Sequence, residues 1–460
     1  MKFYDRVQEL ELLRKTRRAA VVGRRRIGKT RLLEEAMSRD FIYLFFYSDA
    51  SEAFIAEKWT TAIKQKEIYI PPLNKITDIL EYIFRNIDLP MVIDEIQNAS
   101  KKFPGFISLL QQLMDTFKTR AVYITGSLIS VMKKIVENYK SPIFGRFDFI
   151  IKLRELDFQT VLEIMSDLGY SWEEALKYYS VFGGIPKYYE LIETLKPEDF
   201  NDFINLMFFR YPRPLYNEIY VMLKEEIGKD FSNYFGILHA ASQRGVTFNA
   251  IASAMNMLST SVSKYLTALI DDYQLMRREQ PVSKKKKKTH YFISSNIIDF
   301  WFKFGFSQQD QLDRGNDELV HKEFLKHFPT FFGFKFENMV IQLLPSFLKR
   351  HGIDYRTIGK DWGKDYEFDF VVENENNIYI GEIKRGELNV TAEIDKIDSI
   401  TRREAYYRNK TVKYIFIANK FFNIMASDKI IMVPLDQYFQ RSNVHQKHRN
   451  GKRQFSRGRT

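Results

Sequence analysis

The segment "GRRRIGKT" at Gly23–Thr30 decides the fold of the first part of the chain, because it matches the spacing G-x-x-x-x-G-K-[ST]. A short apolar run, "AAVVG" at 19–23, precedes it, and an amphipathic stretch follows it. Glycines at this spacing let backbone N–H groups close around phosphate oxygens, and the N-terminus of the following helix adds its dipole. A glycine turn that arose by chance would lack these flanking elements. We therefore predict a phosphate-binding loop between a buried strand and a helix.

The residues of this loop have different expected roles. Lys29 is expected to reach the β- and γ-phosphates of a nucleotide, and the Thr30 hydroxyl is expected to bind Mg²⁺. The three arginines either contact the nucleotide or face solvent. The loop residues expected to contact the nucleotide are Gly23, Arg24, Arg25, Arg26, Ile27, Gly28, Lys29 and Thr30.

A second motif, "MVIDEIQNA" at 91–99, places Asp94 and Glu95 at the carboxyl end of an apolar run. Asp94 is expected to hold Mg²⁺ through water, and Glu95 is expected to position or deprotonate the attacking water. Acidic residues are common at strand ends, so the pair alone is weak evidence. Together with the phosphate-binding loop it predicts hydrolysis of ATP or GTP.

Short apolar runs alternate with amphipathic stretches throughout residues 1–150. Besides 19–23 and 91–95, the runs "FIYLFFY" at 41–47 and "AVYITG" at 121–126 are expected to be buried strands. This alternation predicts a parallel sheet with helices on both faces. Residues 151–230 have helical patterns throughout.

Composition favours a globular protein with several cores. A chain of 460 residues, 45% of them hydrophobic, is expected to hold about two to four domains. The absence of cysteine excludes disulfides and Cys-ligated zinc, and fits a cytoplasmic location. The N-terminus is charged where a signal peptide would be apolar, and no apolar run approaches the ~20 residues that span a bilayer. We therefore expect no membrane partner.

Two basic segments account for the net charge of +12. One is the last part of the chain, "RSNVHQKHRNGKRQFSRGRT" at 441–460, which contains no acid. Each segment is either simply solvated or serves as an electrostatic contact for a polyanion. The other segment consists of Lys284, Lys285, Lys286, Lys287 and Lys288.

The order of several motifs resembles that of archaeal ATPases of the AAA+/STAND kind. The resemblance implies ATP rather than GTP, and Thr125 or Ser127 as a polar group beside the γ-phosphate. It suggests that Arg146 contacts the γ-phosphate; a structural ion pair is the alternative. It also implies that "GGIP" at 183–186 is a lid hinge, although this sequence would make a turn in any protein. The motifs that carry the resemblance are "FYDRVQELELL", "GRRRIGKTRLLEEA", "VIDEIQNA", "ITGS", "SPIFGRFDFI" and "FGGIPKYYELI".

Residues 234–278 have the pattern of three short helices with a small apolar core. The stretch "LSTSVSKYLTALIDDYQLM" is typical of the second helix of a helix-turn-helix. The following residues are expected to form two strands joined by a lysine-rich wing. We predict a winged helix that contacts DNA phosphates through Lys264 and Lys284–Lys288. In AAA+-type ATPases such a unit is often only a lid or a protein-docking module, so this alternative stays open.

Near the C-terminus, "DYEFDFVVENENNIYIGEIKRG" at 365–386 predicts a β-hairpin. If its strands pair symmetrically about 375 and 376, Asp369 faces Glu382 and Glu367 faces Lys384. Opposed side chains lie ~5 Å apart at Cβ, which is close enough to share one Mg²⁺. Two opposed carboxylates repel unless a cation joins them, and Lys384 is expected to offset part of that repulsion. A one-residue slip in register would separate the two carboxylates.

This hairpin resembles the core of PD-(D/E)xK restriction-endonuclease-like domains. The resemblance implies that Asp369, Glu382 and Lys384 form a catalytic triad, with the Ile383 carbonyl as a further metal ligand and Glu337 completing the site. An alternating E-x-K alone has little value, because charges alternate on many exposed strands. Many domains of this kind bind DNA without cutting it, and the sequence does not separate the two.

The expected fold is therefore α/β, a P-loop NTPase parallel sheet with a helical lid, a winged helix and a C-terminal α/β restriction-endonuclease-like domain. The expected function is nucleotide-regulated DNA binding by an ATPase with a metal-dependent nuclease-like domain. The alternatives are a non-cleaving switch or scaffold, and a helper ATPase that binds a protein partner. The expected units are an ATPase core (1–150), a lid (151–230), a winged helix (231–293), a helical linker (294–330), a nuclease-like domain (331–436) and a basic tail (437–460).

Overall fold

The computed structural model describes residues 1–242, 245–283, 289–375, 377–425 and 427–439. The predicted lysine wing at 284–288 and residues 440–460 of the predicted basic tail lie outside the described residues. The strands are β1 (Arg18–Val22), β2 (Ile42–Phe45), β3 (Met91–Asp94), β4 (Val122–Gly126), β5 (Phe149–Lys152), β6 (Val246–Thr247), β7 (Met276–Glu279), β8 (His290–Ile293), β9 (Thr357–Trp362), β10 (Glu367–Glu373), β11 (Asn377–Asn389), β12 (Thr411–Phe422) and β13 (Ile430–Pro434).

Helices cover most of the remaining described residues, and short π-helical segments at Asn205–Phe209, Ala268–Asp272 and Trp301–Gly305 extend α11, α15 and α16. The α-helices are α1 (Val7–Lys15), α2 (Lys29–Met37), α3 (Glu52–Lys64), α4 (Ile76–Asn86), α5 (Gln97–Lys102), α6 (Pro104–Thr116), α7 (Ile129–Val136), α8 (Phe158–Asp167), α9 (Trp172–Phe182), α10 (Pro186–Leu195), α11 (Phe200–Ile204), α12 (Pro214–Ile227), α13 (Phe231–Ala241), α14 (Phe248–Met255), α15 (Ser259–Thr267), α16 (Asn296–Phe300), α17 (Gln309–Asp313), α18 (Asp317–Arg350) and α19 (Val390–Arg403).

The first sheet is parallel, with the strand order β2-β3-β4-β1-β5. Its strands are short and apolar because helices cover both faces, and the central strands β3 and β4 are buried along their whole length. The four predicted strands are present. The fifth, β5, crosses the predicted boundary at residue 150, so the expectation that residues 151–230 are wholly helical was wrong at its start. Phe149 and Ile150 on this edge strand are partly exposed.

Residues 158–227 pack as helices around a core rich in aromatic side chains. The following segment, 231–293, contains three helices and a three-stranded antiparallel sheet with the order β6-β8-β7. Its core includes Ile251, Val262 and Leu266, the periodic apolar residues of the sequence.

The C-terminal sheet is mixed, with the order β13-β12-β11-β10-β9. Helix α18 packs beside it and runs for 34 residues. The helical linker predicted at 294–330 is helical, but its boundary with the C-terminal unit at residue 331 falls inside a continuous helix. Two prolines, Pro329 and Pro345, lie inside α18, and proline patterns normally predict an end rather than a continuation. Among the described residues, no helix has the length and apolar character needed to cross a membrane.

Candidate nucleotide site and candidate metal site

The glycine-rich loop lies between β1 and α2, as its sequence predicts. Gly28 immediately precedes α2 with φ 91°, a conformation that glycine adopts without strain. Lys29 is buried and donates hydrogen bonds to the carbonyl oxygens of Gly23 (2.9 Å) and Arg24 (3.1 Å). Burial lowers the pKa of Lys29, while Glu95 and Asp94 act in the opposite direction. The loop thus holds a shielded ammonium group at its centre.

Asp94 at the end of β3 is the central acceptor of the site and is buried. Its Oδ2 accepts hydrogen bonds from the hydroxyls of Thr30 (3.1 Å) and Tyr43 (2.5 Å), and its Oδ1 accepts one from Thr125. The sequence predicts Thr30 and Thr125, but it does not predict Tyr43. Tyr43 lies on β2, which pairs with β3 in parallel, so strand order rather than any motif brings it to Asp94. Burial, and then Asp94, raise the pKa of this tyrosine.

Glu95 lies directly after β3 with φ 55°, a left-handed conformation that turns its side chain away from the strand direction. Its Oε2 accepts hydrogen bonds from the Ser127 hydroxyl (2.7 Å) and from the Gln97 amide. Adjacent strand residues normally face opposite ways. The turn at Glu95 lets both carboxylates border the same cavity.

This cavity has a volume of about 1250 Å³ and extends from the loop to the N-terminal residues and to the end of β2. Its lining includes Lys29, Thr30, Asp94 and Glu95. Pro186 of the predicted hinge also borders it. Hydroxyl and carboxylate oxygens beside a buried lysine fit Mg²⁺ and nucleotide phosphates, because Mg²⁺ prefers oxygen ligands and is commonly shared with phosphates.

The "GGIP" turn is held tightly against the chain that follows β5. A Cβ at Gly184 would lie 1.7 Å from the carbonyl oxygen of Leu156, so only glycine fits there. Gly184 donates to Glu155 Oε2 (3.2 Å), and Leu156 donates to the Gly184 carbonyl (2.8 Å). The turn therefore fixes the start of α10 next to the cavity.

Arg146 forms a two-bond ion pair with Asp115, at 3.0 Å from Nε and 2.9 Å from the terminal nitrogen. Asp115 lies on α6, and Arg146 lowers the pKa of that carboxyl. Arg146 is also not among the residues that line the described cavity. This geometry corresponds to the structural alternative that the sequence leaves open.

The three loop arginines are held by other parts of the chain. Arg25 and Arg26 border the cavity and pair with carboxylates of α12. Arg24 donates to the carbonyl oxygens of Tyr273 (3.3 Å) and Gln274, just before β7. These partners follow the loop by about 190 to 250 residues in sequence and have no signal in the motif itself.

Lys264, the predicted DNA contact, is exposed on α15. It borders a cleft of about 720 Å³ between α15 and α7, together with Lys133 and Lys134. The wall of this cleft opposite α15 is formed by α7, which belongs to the first α/β unit. Lys133 on α7 donates a hydrogen bond to the Asp271 carbonyl. The exposed face of α15 is thus turned towards the ATPase-like part of the molecule.

The register of the C-terminal hairpin is the predicted one. Phe370 lies opposite Gly381, and Val372 lies opposite Tyr379, so Asp369 and Glu382 occupy facing positions. The pairing of β10 with β9 is interrupted between Phe368 and Val371, which places an irregularity beside Asp369. Such irregularities often redirect a side chain near a site.

Three acidic side chains converge at this hairpin. Asp369 Oδ2 accepts a hydrogen bond from the backbone N–H of Ile383 (2.8 Å). Burial raises the pKa of Asp369, and Glu382 and Glu337 raise it further. Burial likewise raises the pKa of Glu382, with Glu393 adding to the effect. Because each carboxylate opposes ionisation of the next, a positive charge near the cluster would relieve their repulsion.

Lysine side chains offset part of this repulsion. Lys384 pairs with Glu393 (2.6 Å) on α19, and Lys396 lies 3.7 Å from Glu382 and 3.0 Å from Glu393. Both lysines act to lower the pKa of Glu382, so Lys384 offsets part of the repulsion as predicted, although its direct partner is a carboxylate of α19.

Three residues of this cluster were missed in the sequence. They are Glu393 and Lys396, one helical turn apart on α19, and Lys360 on β9, whose ammonium pairs with Glu337 (2.5 Å). The i,i+3 spacing on α19 is a visible signal, whereas Lys360 has none. Within the described ranges, no three acidic or histidine side chains are already arranged as a metal-ligand set.

Comparison with known proteins identifies two parts of the chain. Residues 3–192 match a family described as an "ATPase domain predominantly from Archaea". Residues 301–397 match a family described as "Archaea bacterial proteins of unknown function". The first part of the chain is therefore similar to archaeal ATPase domains, and part of its C-terminal half is similar to a family without an assigned function.

Individual proteins also resemble this chain. An uncharacterised protein of Methanocaldococcus jannaschii, MJECL04, is 28% identical over 392 residues, covering 82% of this chain and 85% of the relative. The Walker-type ATPase PABY2304 of Pyrococcus abyssi has a TM-score of 0.53 at 16% identity, covering 65% of this chain and 96% of its own, which shows a shared fold. The ORC2 protein of Aeropyrum pernix has a TM-score of 0.45 at 11% identity, covering 70% and 96% of the two chains.

Proposed function

We propose that this chain is a Mg²⁺-dependent ATPase whose nucleotide cycle governs a C-terminal domain that acts on DNA. The observation that carries the ATPase proposal is the convergence of Lys29, Thr30, Asp94 and Glu95 on one cavity. Lys29 and Thr30 begin the helix that follows β1, and Asp94 and Glu95 lie at the end of β3. Nucleotides bind at the carboxyl ends of such parallel strands in open α/β sheets.

In the proposed reaction, loop N–H groups and Lys29 hold the β- and γ-phosphates. Thr30 and Asp94 would hold Mg²⁺, which would supply positive charge to the phosphate oxygens. The hydroxyls bonded to Asp94 keep its carboxylate in place. Glu95 accepts a proton from the attacking water or orients it, while Ser127 and Gln97 fix its side chain.

The ATPase proposal is tested with Glu95→Gln. This variant keeps the hydrogen-bonding shape but removes the base, so we expect ATP binding within about threefold of wild type and hydrolysis reduced about 100-fold. Isothermal titration and phosphate release measure the two quantities. An exposed matched residue, Glu57→Gln on α3, serves as the control. Equal hydrolysis by Glu95→Gln and wild type would refute the assigned role.

For the C-terminal domain we propose metal-dependent action on a DNA phosphodiester, with Asp369, Glu382 and Glu337 as ligands. The supporting observation is that the partly buried carboxylates of Asp369, Glu382 and Glu337 lie near enough for the last two to raise the pKa of Asp369. The oxygen-rich composition suits Mg²⁺ or Mn²⁺. Lys384 would stabilise the developing charge once it leaves Glu393. A non-cleaving DNA-binding role is the second candidate, because the lysines already compensate much of the carboxylate charge.

Cleavage is tested with Glu382→Gln and a control on the same strand. Glu387 lies beyond the irregularity in β11 and is exposed, so Glu387→Gln should behave as wild type. We expect plasmid nicking with Mn²⁺ by wild type and Glu387→Gln, and about a 100-fold loss with Glu382→Gln. DNA binding without nicking by all three proteins, across metals and nucleotides, would favour the non-cleaving role.

We further propose that residues 231–293 form a winged helix that contacts the DNA backbone. The supporting observation is the exposed Lys264 beside Lys133 and Lys134. Lys264→Ala is expected to weaken binding of duplex DNA and to lower the slope of log affinity against log salt by about one unit. A salt-independent affinity, or unchanged binding, would exclude this contact.

A further inference from the structure

Helix α12 carries three carboxylates that no nucleotide-binding motif includes. Glu225 pairs with Arg25 at 2.5 Å, and Glu218 pairs with Arg26 at 2.6 Å. Glu218 and Glu225 are two helical turns apart, so they lie on the same face of α12. The phosphate-binding loop is therefore bridged to α12 at two points.

The third carboxylate, Glu226, lies deeper. Its Oε1 accepts a hydrogen bond from the backbone N–H of Ile129 (3.2 Å), at the start of α7. Burial raises the pKa of Glu226 to about 7, while Arg24, Lys29 and Arg25 act in the opposite direction. The positive charges of the loop are thus close enough to lower the pKa of this carboxyl group.

The same loop also reaches the lid and the segment after α12. Arg26 lies 5.8 Å from the ring of Tyr188 on α10, and the Tyr188 hydroxyl donates to Glu218 (3.3 Å). Arg24 donates to the carbonyl oxygens of Tyr273 and Gln274. The three loop arginines thus connect α10, α12 and residues 231–293 at one place.

Phosphate competes directly with these partners. Arginine binds phosphate through charge-assisted hydrogen bonds that are stronger than those to a carbonyl oxygen. The pair between Arg25 and Glu225 is about half exposed on both sides. Such pairs stabilise by only about 0–1 kcal/mol. The phosphates of a nucleoside triphosphate can therefore displace Glu225 from Arg25.

We infer that Glu218 and Glu225 are positioning residues of the nucleotide site, which hold Arg26 and Arg25 on α12 until the phosphates of ATP displace them. This inference rests on the proposed ATPase function and adds its regulation. Arg24 does not border the described cavity, but it belongs to the same loop and donates to the carbonyl oxygens of Tyr273 and Gln274. When the loop rearranges around phosphate, residues 231–293 would lose this contact, and the cleft between α7 and α15 can widen. ATP binding would thereby make more of the surface proposed for DNA accessible.

The first test compares ligands that differ only in phosphate number. In the variant with both Glu218→Gln and Glu225→Gln, we expect ATP affinity to rise about three- to tenfold, ADP affinity to rise less and adenosine affinity to stay unchanged. Glu57→Gln is the control. A purely structural role would shift all three affinities together. Equal shifts, or no change in ATP affinity, would overturn the inference.

The second test reads the cleft directly and uses the absence of native cysteine. Ser130 and Ser263 border the same cleft from α7 and α15, so Ser130→Cys with Ser263→Cys creates one reporter pair. A short dithiol-reactive crosslinker should join the pair, and a non-hydrolysable ATP analogue should lower the yield about threefold or more. Adding Glu218→Gln and Glu225→Gln should lower the yield without the analogue, because the loop is then no longer paired with α12.

Two failures are distinguishable. If wild type binds no ATP, the proposed function fails. If wild type binds ATP but the crosslink yield is the same with and without the analogue, the ATPase proposal stands and the coupling is overturned.

Discussion

The nucleotide site and the C-terminal carboxylate cluster both place acids at the ends of buried strands, but the two regions stabilise them differently. Asp94 is surrounded by the hydroxyls of Thr30, Tyr43 and Thr125. Asp369 instead faces two further carboxylates and receives one backbone N–H. Neutral donors leave the charge of Asp94 available to a cation, whereas burial and then repulsion by Glu382 and Glu337 disfavour the ionised form of Asp369.

This difference teaches that one site is organised by hydrogen bonds and the other by charge balance. The first geometry can persist without an added ion, since every carboxylate oxygen of Asp94 has a donor. The second depends on lysines shared between carboxylates, as the contacts of Lys396 with both Glu382 and Glu393 show. The following substitutions separate these two principles.

The largest expected effect is at Lys29. Lys29→Ala removes the buried ammonium that faces the phosphates, so ATP hydrolysis should fall about 100-fold or more. Phosphate release at saturating ATP measures it, with exposed Lys15→Ala as the control. A loss below threefold would mean that the loop does not hold the phosphates of a reacting nucleotide.

Asp369→Asn should change how the second region responds to metal. Without nucleotide, Mn²⁺ should raise the thermal midpoint of wild type by about 4 °C, and this rise should disappear in the variant. In the absence of metal, Asp369→Asn should be at least as stable as wild type, because it removes a repelling charge. Differential scanning fluorimetry measures both, with exposed Glu367→Gln on the same strand as the control. An unchanged response to Mn²⁺ would argue against a metal site.

Tyr43→Phe tests whether hydroxyl donors organise Asp94. Loss of one hydrogen bond to a buried carboxylate should lower ATP hydrolysis about three- to tenfold, with little change in KM. Steady-state kinetics measure it, and Tyr47→Phe, which borders the same cavity, is the control. An effect on KM alone would place Tyr43 in nucleotide binding rather than in positioning Asp94.

Arg146→Ala should have the smallest effect. Because Arg146 pairs with an exposed carboxylate of α6, hydrolysis should stay within about threefold and stability should fall by less than about 1 kcal/mol. A 100-fold loss of hydrolysis would instead assign Arg146 to the γ-phosphate.

Much of the nucleotide site could be predicted from sequence, because its residues lie in short contiguous motifs at strand ends. The strands β1 to β4 and the hairpin register followed from apolar runs and from one symmetrical turn. The edge strand β5 was missed although its sequence is apolar, because its four residues lie across the boundary predicted at residue 150. The boundary drawn at residue 331 divides α18, because no local pattern indicates that one helix runs from Asp317 to Arg350 through Pro329 and Pro345.

What the sequence determined by itself is local: a phosphate-binding loop, an acidic strand end and a hairpin that sets Asp369 opposite Glu382. Only the tertiary structure decided the partners that come from elsewhere in the chain. Strand order brings Tyr43 to Asp94, α19 brings Glu393 to Lys384, and α12 brings its carboxylates to the loop arginines. The physical reason is that backbone periodicity fixes which side chains share a face, whereas packing fixes which faces meet.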